Sequence, residues 1–154
     1  MDGLGTSIFI GVAMVLLLGL SIVLQIVRTR RAPLGKVVGI LSSVKYNSKL
    51  CENFSYHRSI GRLKAETWEK NREKVTFLPQ GLWNDLSSLF EMVAEINERI
   101  DAATKYKSDS YMAAIEIDKL KEPLARCQEQ LTEWVYENMN NPAYLPKKRS
   151  LFQR

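Results

Sequence analysis

Residues 79–105 read PQGLWNDLSSLFEMVAEINERIDAATK. Leu82, Leu86, Leu89, Val93, Ile96 and Ile100 follow one another at steps of 4, 3, 4, 3 and 4. Those steps put six apolar side chains on one stripe of an α-helix, the pattern a helix needs to bury itself against another. Trp83, Phe90 and Asn97 form a flanking row seven apart that widens the face. Pro79 stands at the first turn, where a missing N–H removes no helical bond. The spacing predicts a helix from Pro79 to near Lys105.

A partner stripe follows. Ala113, Ile117, Leu120, Leu124, Cys127, Leu131 and Trp134 run at steps of 4, 3, 4, 3, 4 and 3. Ser108 or Ser110 can cap this helix, and Asn138 to Pro142 ends it. Pro123 falls inside the stripe, where proline costs about 3 kcal/mol, so a kink or short break is expected near residues 119–122. Upstream, Val37, Ile40 or Leu41, Val44, Asn47, Cys51 and Phe54 give a third amphipathic helix over 36–54. Residues 55–78 are less regular. A short helix near 60–71 and a packed connector from Val75 to Pro79 are expected there. No strand is required anywhere.

The N-terminal stretch reads differently. Gly3 to Val27 holds no charged residue. A helix over 4–27 would be roughly 36 Å long, enough to cross a hydrocarbon core of about 30 Å. It lacks the basic start and small-residue cleavage site of a signal peptide. It is therefore read as an uncleaved transmembrane anchor. Arg28, Arg30, Arg31 and Lys36 follow it, and only Asp2 precedes it. The positive-inside rule then places the N-terminus outside and the rest in the cytoplasm. Ser7, Gly11 and Gly19 share one face of the span, so helix packing in the bilayer is expected there.

The expected fold is thus all-α. A single transmembrane helix precedes a small antiparallel bundle of three long helices and a short extra one. The segments are an extracytoplasmic end (1–3), the span (4–27), a basic linker (28–35), the bundle (36–140) and a basic tail (141–154).

Charge narrows the function. Residues 32–146 carry 15 basic and 16 acidic side chains. A folded nucleic-acid module is usually basic, so nucleic acid is not an expected partner. The surplus positive charge lies at the ends. Lys147, Lys148, Arg149 and Arg154 share the tail with Leu151 and Phe152. These residues are candidates for contact with an anionic surface or a protein partner.

Catalytic chemistry finds little footing. Cys51, Cys127 and His57 are the only residues of their kinds, too few for a disulfide framework or a zinc motif. Glu91, Glu95 and Glu98 lie at helical spacing, with Glu116 and Asp118 on the partner helix. A di-metal bundle also needs Glu-x-x-His pairs, which the sequence lacks. Trp83 and Trp134 lie on the apolar stripes, where core packing is the simpler role. No catalytic, metal or cofactor site is expected. The expected function is a membrane-anchored interaction or scaffolding module. The alternatives are an accessory subunit of a membrane complex and a membrane-surface enzyme. The expected partners are the lipid bilayer and a protein or second copy.

Overall fold

In the computed structural model the described residues are 18–54 (except 25, 28 and 30), 61–106 and 115–146. Every regular element among them is helical. In chain order these are α1 (Pro33–Glu52), α2 (Glu66–Asn71), a 3-10 turn (Arg72–Lys74), α3 (Gln80–Tyr106), a second 3-10 turn (Ile117–Leu120) and α4 (Lys121–Asn138). The all-helical, bundle-like reading therefore stands.

The membrane anchor does not. Among the described residues no helix is long and apolar enough to cross a membrane. The transmembrane helix over 4–27, the cell-membrane location and the orientation drawn from the flanking arginines are accordingly corrected. Residues 4–17, Ser7 and Gly11 among them, lie outside the described residues. Leu18, Leu20, Ile22, Val23, Leu24, Ile26 and Val27 are exposed.

Helix α3 buries its stripe as its spacing predicts. Leu82, Leu86, Leu89, Val93, Ile96 and Ile100 are all buried, together with Phe90, Asn97 and Ala103. On the last helix, Ile117, Leu120, Leu124, Cys127, Leu131 and Trp134 are buried too. The two stripes run antiparallel. Arg126 pairs with Asp85 at 3.5 Å, and Arg99 reaches Glu116 at 3.7 Å.

The break expected before Pro123 is present. The chain makes a 3-10 turn over Ile117–Leu120, and α4 restarts at Lys121. Pro123 then stands in the first turn of α4, where no intrahelical bond is lost. A continuous helix back to Ser108 is not formed, because Ile115 and Glu116 are non-helical. Both candidate caps, Ser108 and Ser110, lie outside the described residues.

Helix α1 packs more closely on α4 than α3 does. Cys51, near the end of α1, lies within the electrostatic reach of Asp118 and Lys121 at the start of α4, so this pair is antiparallel as well. Helices α1 and α3 scarcely approach each other. The gap between them is closed by residues 61–74, a strap without regular structure (61–65) followed by α2 and its 3-10 turn.

The C-terminal segment begins inside the fold. Tyr144 packs on Phe77 and Trp134, with ring centroids 5.1 Å from each. Its carbonyl accepts the Leu34 N–H at 3.1 Å. That bond satisfies an N–H at the start of α1 that has no helical partner. Residues 141–146 are thus part of the bundle, although the sequence assigns them to the tail.

Candidate functional site

Two asparagines hold the strap. Asn97 on α3 accepts the Leu63 N–H at 2.8 Å and donates to the Leu63 carbonyl at 2.9 Å. Asn47 on α1 does the same for Lys64, at 2.8 and 2.9 Å. A primary amide offers an acceptor and a donor side by side. Each side chain therefore satisfies both backbone groups of one strap residue. Both asparagines are buried, and a buried polar group needs such partners. Leu63 is buried behind this clamp.

The strap carries α2 across the bundle, and Trp68 on α2 is its apolar anchor. Trp68 is buried and stacks on Phe90 with centroids 5.4 Å apart and planes 7° from parallel. Trp83 lies 6.0 Å from Trp68, tilted by 54°. Its indole N–H donates to the Arg72 carbonyl at 3.3 Å. The row Trp83, Phe90 and Asn97 is therefore the face of α3 that receives the strap and α2.

Clefts open on both sides of α2. The one toward α1 holds about 480 Å³ and is lined by Gly35, Lys36, Val38, Gly39, Ser42, Ser43, Lys64, Thr67 and Asn71. Its polar groups largely serve one another. Ser43 Oγ donates to Thr67 Oγ1 at 3.1 Å, Asn71 donates to the Thr67 carbonyl at 2.8 Å, and the Lys64 ammonium sits 3.9 Å over the Tyr46 ring.

The side toward α3 differs. A cleft of about 500 Å³ is lined by Ala65, Trp68, Glu69, Arg72, Glu73, Trp83, Ser87, Phe90, Glu91 and Ala94. A second, of about 640 Å³, continues along the strap and shares Ala65, Glu69 and Ala94 with the first. It adds Glu66 and Glu98. Together they form one groove with an aromatic and alanine floor and a mostly acidic rim. Glu69, Glu73, Glu91 and Glu98 make no ion pair among the described residues. Arg62 turns to Asp101 at 3.4 Å, and Lys64 lies over Tyr46, so neither neutralises that rim.

The other candidate residues disperse. Glu95 pairs with Arg99 at 2.6 Å. Glu116 pairs with Lys119 at 2.6 Å, and the Lys119 hydrogen bond and charge, then Arg99, hold its carboxyl below the usual range. These groups tie α3 to the 3-10 turn before α4. Cys51 and Cys127 are buried and unpaired with each other. Burial pushes each thiol up to about 11, the opposite of an activated nucleophile. Among the described residues no group of His, Cys, Asp and Glu could hold a metal ion. Arg31 is exposed and Lys36 half-buried. Gly19 is exposed, and a Cβ there would meet nothing within 4 Å. Arg28, Arg30, His57, Lys147, Lys148, Arg149, Phe152 and Arg154 lie outside the described residues.

Sequence reading leaves Trp68 as an apolar point in the irregular stretch 55–78 and places Trp83 on the core face. Trp83 is half-buried and lines the groove. Its seven-residue spacing from Phe90 and Asn97 carried the signal, since a polar Asn in a buried row implies a backbone partner from outside the helix pair. No known protein family, no curated protein and no solved structure matches this chain.

Proposed function

We propose that this helical bundle is a protein-interaction module, without catalytic activity of its own, and that the groove between α2 and α3 is its docking face. The observation that supports the reading is the groove's composition. Partly exposed Trp83 and the edge of Trp68 offer apolar contact, and tryptophan is enriched where partners bind most strongly. Three carboxylates without ion pairs, Glu69, Glu73 and Glu91, line the same cleft, with Arg72 beside them. The occupant they suit is a polypeptide segment that combines lysine or arginine with an apolar side chain. Cation–π contact with Trp83 would add to the attraction.

The rigidity of the walls favours the same reading. The strap is clamped at two consecutive residues, and α2 is anchored by a stacked tryptophan. A preorganised groove loses little freedom on binding.

The test is photo-cross-linking in the producing cells with a photoreactive residue in place of Ser87, which lines the groove. The expected result is an adduct with one defined polypeptide that disappears when Glu91 is changed to Lys or Trp83 to Ala. Absence of any adduct sensitive to those changes overturns the proposal.

A further inference from the structure

We propose that residues 147–154 of the chain itself dock in the groove between α2 and α3 of the same molecule. The inference rests on the reading of that groove as a docking face for a cationic segment.

Charge complementarity is the first support. The segment reads KKRSLFQR and holds four cations, no acid, and the apolar pair Leu151 and Phe152. The rim near Trp83 holds Glu69, Glu73 and Glu91 against Arg72. Those three carboxylates make no ion pair among the described residues. An aromatic floor suits Phe152, and the carboxylates suit Lys147, Lys148 and Arg149.

The point of attachment is the second. Tyr144 is fixed against Phe77 with ring centroids 5.1 Å apart. Phe77 belongs to the short connector after the 3-10 turn, and Glu73 on that turn lines the groove. Four residues of chain separate Phe77 from Glu73, at most about 14 Å when fully extended. Residues 147–152 can extend roughly 20 Å beyond Pro146. The attachment point and the near end of the groove thus lie on one short stretch of chain, residues 73–77. A short tether gives an effective concentration in the millimolar range, which favours the chain's own segment over that of another molecule.

Docking in this way would screen the groove until a partner with a better segment displaced it. The proposal is tested on the full chain in two measurements. In the first, a photoreactive residue replaces Phe152. The expected product is an intramolecular adduct on the peptide that holds Trp83, Ser87 and Glu91, lost in the exposed double variant Glu73→Lys, Glu91→Lys. Adducts elsewhere on the chain, adducts only between two molecules, or none at all overturn the proposal.

In the second, a labelled peptide of residues 146–154 is titrated by fluorescence anisotropy. The chain with Lys147→Glu, Lys148→Glu and Arg149→Glu should bind it about tenfold more tightly than the unaltered chain, whose groove is already occupied. Equal affinity for both chains overturns the self-docking while the groove reading survives. Binding to neither overturns both.

Discussion

Asn97 and Asn47 make the same pair of hydrogen bonds, but not at the same depth. The bonds from Asn97 to Leu63 are buried. Those from Asn47 to Lys64 are partly open to water, and Lys64 is exposed. Leaving a buried backbone group unpaired costs about 1–3 kcal/mol. Asn97→Ala orphans two such groups, so it should destabilise the chain by about 2–5 kcal/mol in urea unfolding. Water can replace Asn47, so Asn47→Ala should cost about half as much. Equal losses would mean that the strap is held by Leu63 and Trp68 instead. In the sequence Asn97 reads only as part of the flanking row that widens the α3 face, and Asn47 as a less apolar point in its seam. Their partner was not legible. A backbone clamp depends on where a distant segment lies, and Leu63 is 34 residues from Asn97. No local pattern marks that.

At the scale of elements, Pro123 is the informative case. As the third residue of α4 it interrupts no helical hydrogen bond. Pro123→Ala should change stability by less than about 1 kcal/mol and leave the helical circular dichroism unaltered. Gln128→Pro, one turn further in, should cost about 3 kcal/mol or more. If Pro123→Ala instead lengthens the helix toward residue 115, the preceding 3-10 turn is the proline's doing. The helices themselves were readable from period alone. Nearly every residue placed on the α3 and α4 stripes is buried, because a 3- and 4-residue rhythm has one physical meaning. The apolar run before residue 28 is the element whose reading is corrected: among the described residues no helix is long and apolar enough to cross a membrane. The groove was not legible either. Its floor joins α2 to α3, and residues 61–74 have no rhythm to locate them.

For the whole molecule, the two thiols give a titration to follow. Cys51 and Cys127 pack in one core, and burial raises both to about 11 from an ordinary value of 9.0. Between those values the unfolded chain releases protons that the folded chain keeps. Stability is therefore full below about pH 9 and falls as pH rises toward 11. Unfolding free energies measured from pH 8 to 11 should show this decline. The double variant Cys51→Ala, Cys127→Ala should be less stable at pH 8 from lost packing, yet show a flatter alkaline slope. An unchanged slope would assign the decline to other groups. Neither thiol should react with an aromatic disulfide reagent at pH 8 faster than the chain unfolds.

The bond from Leu34 to the Tyr144 carbonyl has a mechanical consequence. It puts the start of α1 beside the chain that leaves α4, so both flanking segments depart from one end of the bundle. Tension between residues 31 and 146 would act across the α1–α4 seam. It would peel the two antiparallel helices apart turn by turn, beginning at the Tyr144 aromatic cluster, instead of shearing all their contacts at once. A bundle pulled by these two ends yields at low force.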